Sequence, residues 1–335
     1  MKLSILDQST AAVGVPPADS IRDTVELAVL AEELGYHRFW VSEHHNHPTI
    51  NGTAPEILMA AISQRTDRIR LGSAGVMLPH YAPLKVAEQF RVLEALAPGR
   101  IDLGLGRAPG GDGKTAHALN PNAREDAENF PAHVRDLMAW VGGTDLMDGH
   151  PFKGVIAHPE VATVPEVWML GTSDYGAQIA AHFGIPYCFA HFITDGQGVA
   201  RALALYRENY RPSARFPEPV TSVCVWALAA DTAAEAERLY QSRAYSKVRR
   251  RGGALGPIDP PDDVDWSICT PAEIDYRDRL RAEALIGDGA AVAAHLTALA
   301  DSYAVDEMAV LTWTHDQAAR RRSYTLLAEH MALSA

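Results

Sequence analysis

Cysteine is scarce in this chain, and the three present, Cys188, Cys224 and Cys269, are odd in number and lack metal-ligand spacing. A disulfide framework and a structural zinc site are both excluded on that pattern, and a reducing compartment fits. No stretch approaches the roughly eighteen apolar residues of a membrane span, and the N-terminus shows no apolar core followed by a small-residue cleavage site. Membrane insertion is therefore not expected, and the chain reads as cytoplasmic. Long runs of like charge are also missing: the net charge of -12 is spread thinly, which argues against nucleic acid or an anionic membrane as partner. Lysine is rare, confined to Lys2, Lys85, Lys114, Lys153 and Lys247, a bias that suggests a GC-rich genome.

What is present is an ordinary globular composition, 47% hydrophobic and 21% charged over 335 residues. Short apolar runs alternate with longer amphipathic stretches, the pattern of repeated strand-helix units. Strands are expected over residues 3–7, 37–43, 69–78, 101–106, 167–170, 187–192, 220–229 and 307–313. Helices are expected over 20–34, from Pro55 onward, and over 84–96, 177–183, 199–210, 233–250 and 317–330, with Ser20 as N-cap and Gly35 as stop of the first. Eight strands in alternation predict one α/β domain, 1–335, folded as a (β/α)8 TIM barrel with loop insertions at its C-terminal face. A doubly wound sheet would carry a glycine-rich fingerprint after the first strand, where Asp7-Gln8-Ser9-Thr10 stands instead. Two irregular stretches, 108–124 and 252–271, read as lids.

In such a barrel the chemistry lies where strands end. The second strand ends Ser42-Glu43-His44-His45-Asn46-His47, a proton-transfer or metal candidate, with hydrogen-bonded loop histidines as the plain alternative. Strand alternation puts Glu43 and His45 on one side and His44 on the other, and leaves open which imidazole faces inward. The third strand, Leu71-Gly72-Ser73-Ala74-Gly75-Val76-Met77-Leu78-Pro79, is rich in small residues, as a strand is when a flat ligand or another backbone comes close. Arg107 emerges from glycines after the fourth strand, and Gly171-Thr172-Ser173-Asp174-Tyr175-Gly176 opens a helix after the fifth. A guanidinium fork and a helix N-terminus together suit a phosphate, although capping alone also explains Ser173 or Asp174. Phe192, Trp226 and Trp313 near strand ends, with Tyr81 and His45, suggest a pocket for a bulky, flat molecule, while ordinary core packing remains the alternative.

Taken together, the segment from Trp40 to His45, the third strand, and the run from Glu88-Gln89 through Leu93-Glu94 to Pro98-Gly99-Arg100-Ile101-Asp102-Leu103-Gly104-Leu105-Gly106-Arg107 resemble the bacterial luciferase-like flavin monooxygenase family. The resemblance implies a barrel that takes reduced FMN (FMNH2) from a separate flavin reductase and, with dioxygen, oxygenates a small organic substrate. It implies a non-proline cis bond at Ala74-Gly75, with Val76, beneath the flavin ring. It implies phosphate contacts from Arg107 and from Gly171, Thr172, Ser173, Asp174, Tyr175 and Gly176, His44 as the acid/base with His45 in support, and no metal. The family's reactive thiol position is Gly106 here, and Glu128 stands near the place of a second phosphate-contacting arginine, so long-chain aldehyde is not the expected substrate. A flat substrate, such as an aromatic polyketide in antibiotic biosynthesis, is expected instead. Homodimerisation through the helices after strands two and three is implied too. The rival readings are a coenzyme F420-dependent oxidoreductase of the same superfamily and a noncatalytic flavin-binding accessory protein.

Overall fold

Most of the helices begin or end on residues that a helix terminus selects: Pro at the first turn, or Gly, Asp and Thr at the caps. The computed structural model describes residues 1–334. The first half runs β1 (Lys2–Asp7), α1 (Pro17–Glu33), β2 (Arg38–Val41), α2 (Pro55–Ser63), β3 (Arg70–Met77), α3 (Pro83–Leu96), β4 (Ile101–Gly106), α4 (Gly113–Leu119), α5 (Ala123–Glu128) and α6 (Phe130–Gly142). The second half runs β5 (Glu166–Gly171), α7 (Asp174–Phe183), β6 (Tyr187–Ala190), α8 (His191–Thr194), α9 (Val199–Glu208), β7 (Thr221–Ala230) and α10 (Ala233–Arg251). It closes with α11 (Pro271–Ala282), β8 (Leu285–Asp288), α12 (Gly289–Tyr303), β9 (Glu307–Leu311) and α13 (Gln317–His330).

All strand pairings are parallel, in the order β6-β5-β4-β3-β2-β1-β9-β7, and a β6 to β7 pairing closes the ring. The architecture is a (β/α)8 barrel, as expected. β8 lies outside the ring, paired only to the far end of β7. It was not foreseen, nor were α6, α11 and α12: a four-residue strand and an alanine-rich helix give weak periodic signals. The first helix starts at Pro17, and Ser20 lies within its first turn, its hydroxyl donating to the Pro17 carbonyl rather than capping. The second and sixth strands are shorter than expected. Beyond Val41 the backbone amides turn to loop carbonyls, His44 N to Gly52 O and His45 N to Gly110 O.

Two cores follow from strand alternation. One lies between barrel and helices, and the other fills the barrel with Leu6, Trp40, Trp168, Cys188, Cys224 and Leu311. Below this inner core, ion pairs seal the N-terminal end of the barrel. Arg38 donates to Glu307 at 3.0 Å, Asp102 at 2.8 Å and Glu166 at 3.3 Å, and Arg70 joins Asp102 and Glu166. Trp40 Nε1 donates to the same Asp102 at 2.9 Å, tying the indole layer to the ions.

Of the two irregular stretches, 108–124 holds α4, whose Asp112 caps the Thr115 amide, and 252–271 forms a strap. Ile258 exchanges backbone hydrogen bonds with Ala11 and Val13, and Thr49 donates to the Gly256 carbonyl at 2.7 Å, so the strap is pinned to the loops after β1 and β2. Among the described residues no helix is long and apolar enough to cross a membrane. The sealed ion network generates a first prediction. Arg38→Met leaves Glu307 short of its buried partner and should lower the unfolding free energy by about 3–5 kcal/mol in urea titration; a loss under about 1 kcal/mol would contradict it.

Candidate active site

Above the inner core, at the C-terminal end of the strands, opens a cavity of about 500 Å³, within the range of small-molecule and cofactor sites. His44, Ala74, Gly171, Thr172, Phe192, Trp226 and Trp313 all line it. Three aromatic faces thus meet one imidazole, and the Trp313 indole is fixed by donating to Gln8 at 3.1 Å.

His44 is the imidazole that the strand end turns inward. Its Nδ1 is buried without a hydrogen-bond partner, which leaves Nε2 for the cavity. An imidazolium here would bury an N–H with no acceptor. Burial, and then the positive influence of His47 and Arg250, push its pKa down to about 4, so the ring is neutral at pH 7.

His45 and Tyr81 are not in the cavity wall. Both are held by the buried Glu43 carboxylate, His45 Nε2 at 2.7 Å and the Tyr81 hydroxyl, donating, at 2.7 Å, while the second Glu43 oxygen accepts from the Met77 amide at 3.1 Å. Burial and the adjacent carboxylate raise the Tyr81 pKa, which keeps the phenol a donor. The expectation that these two line a substrate pocket is corrected: Glu43 draws them to the other side of the strand end, where they brace the turn that presents His44.

In the third strand the expected cis bond is present, and its small residues answer to a neighbouring strand. Ala74-Gly75 is a cis peptide bond, and the β3 to β4 register shifts between Ser73 and Val76. Ala74 reaches the cavity, but a side chain at Gly75 would strike the Gly104 carbonyl at 2.7 Å, and Val76 is packed in the outer core. A neighbouring backbone explains that glycine without a ligand.

Beside the cavity, Arg107 is exposed at the end of β4, and its guanidinium lies over the Tyr175 ring at 4.1 Å, with no carboxylate paired to it among the described residues. Tyr175 is in the first turn of α7, whose N-cap Ser173 makes no side-chain capping bond, so the first amides of the helix are free. Asp174 turns outward to Arg201 at 2.5 Å and is not part of that group. A cation held flat on a ring at an uncapped helix start, with Gly171 and Thr172 running into the cavity, fits a phosphate attached to a group lying in the barrel mouth. Glu128 pairs with Arg124 on the surface.

Cys188 and Cys224 also line the cavity. Burial pushes Cys188 up to about 12 and raises Cys224, so both stay protonated and act as apolar wall. Among the described residues no three His, Cys, Asp or Glu side chains gather to hold a metal ion. Sequence reasoning missed Gln8 and the cations of α10, Arg243, Lys247, Arg250 and Arg251, which line the cavity from a helix. Their helical spacing was legible, but a run of arginines ordinarily marks a solvated face.

A family model described as luciferase-like monooxygenase matches residues 1–306. Protein YwcH of Bacillus subtilis is 41% identical over 99% of both chains, and the N-acetyl-S-alkylcysteine monooxygenase of the same organism is 36% identical over 98% of both. The crystal structure of apo-MsnO8 superposes with a TM-score of 0.87 at 36% identity, covering 99% of each chain. The barrel, its cavity and these similarities lead to one conclusion: the chain belongs to the luciferase-like monooxygenase family and is an oxidoreductase.

Proposed function

We propose that the protein is an FMN-dependent monooxygenase that uses reduced FMN from a separate flavin reductase to oxygenate a small, flat organic substrate. The observation that carries the FMN reading is the Arg107 guanidinium on the Tyr175 ring at the uncapped start of α7, contiguous with the cavity through Gly171 and Thr172. Arg107, Thr172 and the amides of residues 174–176 would hold the phosphate, and Ala74 would border the ring. When bound, reduced FMN supplies the two electrons with which dioxygen gives one oxygen atom to the substrate and one to water.

The chain's own contribution is binding, dryness and one proton site. Trp226, Trp313 and Phe192 offer flat apolar surface to a planar substrate and exclude water from the reacting atoms. The strap over residues 252–271 is bonded to the loops after β1 and β2 and would serve with the α4 segment as the cover of the mouth. His44 presents a neutral imidazole, and an anionic centre brought within about 4–6 Å would favour its protonated form, so it takes a proton when charge arrives and returns it when charge leaves. A homodimer is part of the proposal: Ile57 on α2 and Val92 and Leu96 on α3 are 67%, 47% and 45% exposed, an apolar face on the two helices after strands two and three. An F420-dependent hydride transfer is the outcome the tests below would reveal if FMN fails.

Arg107→Ala should weaken FMN binding about 10- to 100-fold in fluorescence titration while leaving thermal unfolding unchanged; unaltered affinity would remove the phosphate assignment, and tight F420 binding in place of FMN would redirect the reading. His44→Gln should reduce substrate oxygenation about 10²- to 10⁴-fold with the fold intact. Because His44 is held at about 4, below its ordinary value of 6.5, unfolding releases a site that binds a proton between those limits. Stability should fall as pH drops from 6.5 to 4, and His44→Gln should fall less in that window by urea midpoint; parallel pH curves would refute the buried neutral imidazole. Sedimentation should show a dimer for the native protein and a monomer for Ile57→Asp.

A further inference from the structure

Nothing in the FMN reading uses the positive wall of the cavity. Arg243, Lys247, Arg250 and Arg251 of α10 all reach it, at spacings that put them on one helical face, in a chain whose net charge is -12. Their states differ. Lys247 is compensated, its ammonium bonded to the Asp195 carboxylate and 3.4 Å from the Phe192 carbonyl. Arg250 and Arg251 are exposed, the latter over the Tyr276 ring at 4.6 Å.

Arg243 is the exception. It is only 6% exposed, its guanidinium lies over the Trp226 ring at 4.2 Å, and no hydrogen bond or ion pair joins it to any described residue. Asp195 is near enough to act on it, but Asp195 is engaged by Lys247. Arg243 lines the main cavity and also a smaller one of about 310 Å³, which Asp195, Glu283 and Arg279 share, and none of these carboxylates is bonded to it. A guanidinium so largely buried, with no acceptor on the protein for its donors, is favoured by an anion that reaches it through the cavity.

We propose that Arg243 receives an anionic group, a carboxylate, on the organic substrate, whose flat apolar body lies against Trp226 and Phe192, while Arg250 and Arg251 draw the acid in from the mouth. The substrate class is then an aromatic or otherwise planar organic acid. That it is a substrate rests on the monooxygenase reading; the anion seat itself does not. The same wall explains why a neutral polyketide would be the poorer ligand.

The test compares 2-naphthoate with 2-naphthamide on protein free of flavin, by calorimetry and by tryptophan quenching. The acid should bind at least about tenfold more tightly than the amide, as a charge-assisted pair to a buried guanidinium allows. Arg243→Met, an apolar replacement of similar shape, should reduce that preference to under about twofold, and Arg243→Lys should keep part of it. Arg250→Gln should weaken the salt dependence of acid binding and keep the preference. Equal binding of the two probes by the native protein, no binding of the acid, or a preference that survives Arg243→Met would each overturn the proposal. FMN titration of the same samples separates the two readings: loss of FMN affinity in Arg243→Met as large as in Arg107→Ala would mean that the wall grips the cofactor, and the seat for substrate falls. Native protein that prefers naphthoate yet fails to bind FMN keeps the seat and loses the FMN assignment.

Discussion

Arg38 is the residue on which the barrel is built. Its guanidinium joins the starts of β2, β4, β5 and β9 through Asp102, Glu166 and Glu307, and lies 4.7 Å over the Trp168 ring. A barrel of this size has to fill its own interior, and charges inside it are tolerated only when paired and hydrogen-bonded. Here they are, because Arg70 takes up the other oxygen of Asp102 and the Trp40 indole shares with Arg38 the one that Arg38 pairs. The indole layer sits on that base, and the cavity sits on the indole layer. The depth of the active site is therefore set from the opposite end of the molecule.

The same vertical order separates rigid from adjustable parts. Glu43 locks His45 and Tyr81 into the strand end and so fixes the turn that carries His44, while the cavity wall beyond the strands is supplied by α10 and Tyr276 of α11. A reacting centre mounted on strands beside a wall that belongs to separate helices combines positional accuracy with access. His44 illustrates the coupling: its basicity depends on burial and on Arg250 in that wall.

Much of this was legible in the residues. The alternation of apolar runs gave the eight-strand ring, and Arg107 after the fourth strand and residues 171–176 at the start of the next helix lie beside each other as their order in the chain had them. What escaped had physical reasons. His45 and Tyr81 looked like pocket residues because flanking position cannot reveal that a buried carboxylate two residues away will claim both. For the glycines of β3 a ligand and a neighbouring backbone were both open from the residues alone, and Gly75 answers to the Gly104 carbonyl. Arg243 was hidden among exposed arginines, since burial of one position on a helix depends on what the helix packs against.

The position of β8 has a wider consequence. Because β9 pairs directly with both β1 and β7, ring closure does not depend on the excursion between β7 and β9, which carries α10, α11, β8 and α12. Lengthening such an excursion adds only about 0.6 kcal/mol of closure entropy per doubling. α10 and α11 could therefore be exchanged or enlarged, and with them the chemical taste of the cavity, without disturbing the β4 and β5 ends.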